Sequence, residues 1–147
     1  MNTMLSKSGC VAAMALAGAV GILASCQSME MMSGQQVTLS GNNEVPAVAT
    51  SASGSGTVTI KEDRSVSAHI MVTGMTATAA HIHEAAAGVN GPVIVPFTKT
   101  GDNMFDAPAG AKLTDAQYAA YKAGNLYVNV HSAKNPGGEV RAQLKGN

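Results

Sequence analysis

The feature that most constrains how this chain can fold is a two-residue alternation of apolar and polar side chains from Gln36 nearly to the C-terminus. Val37 and Leu39 alternate with Thr38 and Ser40, and Thr57-Val58-Thr59-Ile60 and Ser65 to Val72 keep the same period. Val93-Ile94-Val95 follows Gly91-Pro92, Leu126, Val128 and Val130 share one phase, and Val140, Ala142 and Leu144 share another. Successive side chains on a strand point to opposite faces, so each run reads as a strand with one buried face. Gly, Pro, Asn and Asp punctuate the gaps, as in Gly41-Asn42-Asn43, Glu62-Asp63, Gly88 to Gly91, Gly101-Asp102-Asn103 and Pro136-Gly137-Gly138. Short, evenly spaced strands with such turns predict an all-β domain, a Greek-key β-sandwich over residues 36–147.

One helix is expected within it, near 114–123. Thr114-Asp115-Ala116-Gln117 fits a capping box, Leu113 and Tyr118 suit a hydrophobic staple, and Gly124 supplies a left-handed stop. The chain has no Trp and five aromatic residues, so its core must be built from small aliphatics. Its two cysteines, Cys10 and Cys26, both precede the alternating region, so no disulfide can staple the domain.

The first 25 residues read as a processing signal. Lys7 is the only charged side chain before Glu30, and the apolar run Val11 to Ala24 is the length of a signal-peptide core, too short to span a bilayer. It closes on Leu23-Ala24-Ser25-Cys26, which resembles the bacterial lipobox and implies acylation of Cys26. Residues 26–35, polar and Met-rich, read as a flexible tether, with Met29, Met31 and Met32 as soft candidate ligands for Cu(I). Gln27 is not the aspartate associated with inner-membrane retention. The resemblance therefore implies a lipid-anchored envelope protein at the outer membrane, its domain in the periplasm or at the cell surface. Beyond residue 25 there are eight basic and nine acidic side chains, without the basic excess that a nucleic-acid surface needs.

Chemistry concentrates in three of the four histidines. His81 and His83 flank Ile82 at i and i+2, and His131 ends the run Leu126 to His131. Two imidazoles on one strand face can reach one ion, and a third from another strand would complete a mononuclear site of the type copper or zinc accepts. His69 lies on the polar phase of its strand, as a surface histidine or a fourth ligand. Glu84 is a candidate acceptor for a ligand ring, or a solvated strand end. Asn129 shares the face of His131 and would either bond a ligand ring or cap a loop. Arg141 would attract an anion if it faced the histidines, as the candidate catalytic residue, and otherwise would pair with Glu139 or Glu44.

Several segments together resemble the CHRD domain, the module named after chordin. They are Leu39 to Pro46, Ala80 to His83, Gly91-Pro92-Val93, Leu113-Thr114, Ala123 to His131 and Asn135 to Arg141; Ala47 departs from the pattern where the family often repeats proline. CHRD domains are in turn similar to a stripped copper–zinc superoxide dismutase sandwich. On that resemblance His81, His83 and His131 correspond to copper ligands and Arg141 to an anion-guiding arginine. No histidine lies between Glu84 and Phe97, so neither a bridging ligand nor a zinc loop is evident, and copper is implied over zinc.

Three functions follow as expectations. The first is a lipid-anchored protein binding one metal ion, copper in preference, through His81, His83 and His131. The second is a copper-only, dismutase-like enzyme using Arg141. The third is a metal-independent module that binds a protein or glycan. No phosphate-binding glycine loop, nucleophile elbow or paired carboxylate supports other chemistries.

Overall fold

The computed structural model describes residues 34–146; the signal segment, Cys26 and the methionines of the tether lie outside the described residues. The chain runs β1 (Gln35–Ser40), a 3-10 turn (Gly41–Asn43), β2 (Ser53–Ile60), β3 (Val66–Thr73), β4 (Ala77–Glu84), β5 (Val93–Pro96), β6 (Thr98–Gly101), β7 (Met104–Asp106), α1 (Asp115–Lys122), β8 (Leu126–Ser132) and β9 (Val140–Gln143). The nine strands form one antiparallel sheet in the order β5-β4-β8-β9-β1-β2-β3-β7-β6. Its two edge strands, β5 and β6, are consecutive in the chain and separated only by Phe97, whose N–H donates to the Ala80 carbonyl of β4. The sheet therefore curls until its edges nearly meet, giving the expected all-β sandwich closed almost to a barrel.

The interior takes one phase of nearly every strand. Leu39, Ile70, Ile82, Leu126, Val128, Val130 and Val140 are sealed from solvent, with Phe105 and Tyr121 among them. Each such side chain contributes roughly 2 kcal/mol by leaving water. The helix is capped as its sequence requires: Thr114 accepts from the Gln117 N–H, and Gln117 accepts from the Thr114 N–H. Leu113 and Tyr121 anchor it to the core, and Gly124 follows at φ +77°.

Two strands went unforeseen. Thr98-Lys99-Thr100-Gly101 carries no apolar phase because β6 is an exposed edge, and β7 is three residues long. Gly101-Asp102-Asn103 is the turn between them, with Asn103 at φ +59°. Strand β1 also starts one residue inside the segment read as tether, at Gln35.

Candidate metal centre

The β4–β8 register decides what shares a face with the histidines. His81 lies opposite Asn129, His83 opposite Tyr127, and His131 opposite Ala79, one diagonal step from His81. Because Ala80, Ile82, Leu126, Val128 and Val130 fill the core, the alternate phase of both strands faces outward. His81, His83, Tyr127, Asn129 and His131 thus form one outer patch, which β9 extends with Arg141 opposite Asn129 and Gln143 opposite Tyr127.

The three predicted histidines converge. Their ligand-capable nitrogens all lie within 4.8 Å of one another, and the ring centroids are 4.8 to 5.9 Å apart. Nitrogens bound to one ion at about 2.0–2.1 Å would be separated by no more than about 4.2 Å, so a shift under 1 Å closes the set.

Backbone carbonyls decide which nitrogens carry lone pairs. His83 Nδ1–H donates to the Gly91 carbonyl at 2.9 Å, and His131 Nδ1–H donates to the Pro136 carbonyl at 2.9 Å. A carbonyl accepts only, so each neutral ring carries its proton on Nδ1 and presents a lone pair at Nε2. His81 Nδ1 stands 2.9 Å from His131 Nε2, and in the neutral cluster it must be the donor of that pair. Moving the His81 proton to its own Nε2 turns Nδ1 into the third inward lone pair. The histidines resist protonation: burial and the neighbouring rings of His131 and His83 push His81 down to about 4, and burial depresses His83 and His131 as well.

Each anchoring carbonyl is itself held. Gly91 N–H donates to the Tyr127 hydroxyl at 3.1 Å, and Tyr127 stacks flat on the His83 ring, centroids 4.8 Å apart and planes 7° apart. Gly91 passes so close to β4 that a β-carbon there would lie 1.9 Å from the Glu84 carbonyl oxygen, which requires glycine. On the other side, Glu139 accepts from the hydroxyls of Thr50 and Ser132 and so ties down the loop that carries Pro136.

The remaining candidates are placed as follows. His69 is on β3, half-exposed and paired with Asp106, apart from the cluster. The Glu84 carboxylate makes no hydrogen bond to a ligand ring; its backbone N–H donates to Pro92, and backbone carbonyls do the orienting. Arg141 is not open to solvent as an anion guide must be, nor paired with Glu139 or Glu44. It is 1% exposed, its guanidinium carbon 3.4 Å above the Tyr127 ring centroid, and it donates to the Val89 carbonyl at 2.8 Å and to Asn90 Oδ1 at 3.1 Å. Strand β8 lies between β4 and β9, so the Tyr127 ring has His83 on one face and Arg141 on the other. Among the described residues the ion pairs are Arg64–Asp115 and His69–Asp106.

Among the described residues three buried side-chain polar atoms make no hydrogen bond: His83 Nε2, Asn129 Oδ1 and Glu44 Oε1. The amide of Asn129 is in polar contact with both the Glu44 carboxyl and the His83 ring. Gly138, at φ +129°, covers the pair so tightly that a β-carbon there would sit 2.6 Å from both Asn129 Nδ2 and Glu44 Oε1. Orphaned buried polar atoms are costly, and the usual explanation is a ligand, ion or water that satisfies them. Three convergent imidazoles without a thiolate, one offering a buried lone pair, fit a divalent transition metal, and these residues can hold one.

Sequence reasoning missed Tyr127, Gly91 and Glu44 as parts of the site. Tyr127 carried a signal, an aromatic on the otherwise polar phase with Asn129 and His131, which marks an outer face covered by loops.

No curated protein and no solved structure matches this chain significantly. The model of one family, the CHRD domain, matches residues 35–144, from the first residue of β1 to just beyond the end of β9. That match covers most of the chain and every strand, and so the chain belongs to the CHRD-domain family.

Proposed function

We propose that this is a lipid-anchored cell-envelope protein whose CHRD domain binds one copper ion through His81 Nδ1, His83 Nε2 and His131 Nε2, for buffering, delivery or defence against copper and oxidants. The observation that carries the reading is the tautomer lock. Two independent backbone carbonyls fix the protons of His83 and His131 on Nδ1, which turns two lone pairs inward toward the third ring. A hydrogen-bonded polar cluster would not leave His83 Nε2 buried and unpartnered. Imidazole ligation suits Cu(II) and Zn(II); the absence of a second histidine set between Glu84 and Phe97 supports a mononuclear copper site.

Titration of the purified protein with Cu(II), followed by electron paramagnetic resonance, is expected to give nitrogen hyperfine structure from three imidazoles. His83→Ala should abolish that pattern, and its survival in the variant would overturn the assignment. A dismutase-like activity would have to draw in its anion without Arg141, which is buried beneath the loop between β4 and β5.

Anchoring rests on Leu23-Ala24-Ser25-Cys26 behind an apolar core. Radiolabelled palmitate fed to expressing bacteria is expected to label the protein, and Cys26→Ser to remove the label and leave an unprocessed precursor. Equal labelling of the two would refute the anchor.

A further inference from the structure

The three unpartnered atoms belong to neighbouring side chains. Asn129, 2% exposed, stands between Glu44 and His83, and its amide is in polar contact with both. Glu44 comes from the loop after β1, Asn129 from β8 and His83 from β4, so three separate segments are brought together on the outer face. Below them the β4–β8 register runs unbroken from Ala79 to Glu84, and above them Gly138 lies so close that a β-carbon there would collide with both the amide and the carboxyl.

Two arrangements satisfy the donor and acceptor rules. In one, Asn129 Nδ2 donates to an ionised Glu44 and Oδ1 faces His83. Since His83 Nδ1–H is committed to Gly91, Oδ1 and Nε2 are then two acceptors facing each other, and only a cation or an added donor satisfies both. In the other, a protonated Glu44 donates to Oδ1, and Nδ2 donates to His83 Nε2. That second arrangement is fully bonded and consumes the lone pair a metal needs. The structure turns Nδ2, not Oδ1, toward the point under Gly138 that Glu44 Oε1 also approaches, which is the amide orientation of the first arrangement.

We propose that Asn129 is a positioning residue for the metal centre and that Glu44 sets which end of its amide faces His83, so that an ionised Glu44 makes the site receptive and a protonated Glu44 closes it. This rests on the copper reading above. Supporting the geometry, burial pushes Glu44 up to about 7, partly offset by Arg141 and by the Asn129 hydrogen bond, which puts the change of state near neutrality. The charged and titratable groups around Glu44 are Arg141 of β9, His83 behind Asn129, and Lys134 of the β8–β9 loop, which lines the same cleft. Glu139, next along from Gly138, is engaged with Thr50 and Ser132. His83 itself titrates lower, held neutral chiefly by burial.

The test measures Cu(II) affinity of wild type and Glu44→Gln between pH 6 and 8, by competition with a chromophoric chelator. Wild type is expected to bind about 10-fold tighter than Glu44→Gln at pH 8, the order of loss usual for a partner behind a metal ligand. The gap should close by pH 6, where wild-type Glu44 is protonated. Equal affinities and equal pH profiles overturn the proposal and leave copper binding intact. Failure of the wild type to bind copper at any pH removes both readings. A second measurement needs neither metal nor variant: in histidine labelled with nitrogen-15, the His83 Nε2 resonance of the metal-free protein should move with the Glu44 carboxyl near pH 7. A resonance unchanged through that range overturns the switch.

Discussion

Replacing Arg141 by alanine is expected to destabilise the domain by about 4 kcal/mol, the range found when a large buried side chain is truncated and polar partners are stranded. The guanidinium is fully buried, stacks on Tyr127, and satisfies the Val89 carbonyl and Asn90 Oδ1. Alanine would leave a cavity beside the ring and two unpartnered oxygens. Urea unfolding should show the midpoint falling by about 2 M at an m-value near 2 kcal/mol per M, with m unchanged. Lysine should recover less than half of the loss, because an ammonium cannot lie flat on the ring and serve both acceptors. The damage also travels to the centre. The loop that Arg141 holds contains Gly91, whose carbonyl fixes the His83 proton, so copper binding should weaken along with stability. Retention of wild-type stability in Arg141→Ala would show that the arginine is free to leave its slot, and would restore it as a candidate guide for anions.

How much of this was legible in the sequence follows from the reach of each signal. Alternation is a local property, so the strands that bury one face, β1 to β4, β8 and β9, could be read from their own residues. Strand β6 could not, since Thr98 to Gly101 bury nothing and take their strand geometry from β7 alone. The helix was legible because its capping box is complete within four residues. At the site, His81 and His83 are paired by spacing, but joining them to His131 required β4 to lie beside β8, which separate elements of the chain only suggest through family resemblance. Arg141 shows the limit. Its phase on β9 correctly puts it outside the core, yet that outer face is itself roofed by the loop between β4 and β5, and nothing local in Val140 to Gln143 encodes a roof. Glu44 was equally hidden: a lone acid in a turn motif reads as solvated, and the groups that close over it, Asn129, Gly138 and Arg141, lie more than eighty positions on.

Glu44 should also leave an opposite mark on stability, and that sets it apart from a residue that merely packs. Its native carboxyl holds a proton up to about pH 7, against 4.5 for the ordinary group. A group raised in this way gives its full contribution below pH 4.5, where both states are protonated, and loses it as pH rises through 7 and the unfolded chain alone has given up the proton. The loss approaches about 3 kcal/mol above pH 7, at 1.36 kcal/mol for each pKa unit. Metal-free Glu44→Gln, which has no charge to bury, is therefore expected to match wild type at pH 4 and to exceed it by up to about 3 kcal/mol at pH 8. The histidines act in the reverse sense. His81, lowered to about 4, supports the fold above pH 6.5 and withdraws that support as pH falls toward 4; partial exposure reduces its share to about 1 to 2 kcal/mol. In wild type the two trends oppose each other between pH 4.5 and 6.5, and the stability curve should be shallow there. Removing Glu44 should uncover the histidine slope, with stability climbing steadily from pH 4 to 6.5. Thermal or urea unfolding across this range reads both effects in one series. A Glu44→Gln protein that is more stable at pH 8 yet binds copper more weakly would mean that the buried carboxylate is kept at a cost to the fold for what it does to the amide beside His83. Parallel stability curves for the two proteins would mean that Glu44 is solvated, and the unpartnered oxygen at Gly138 would then carry no charge worth burying.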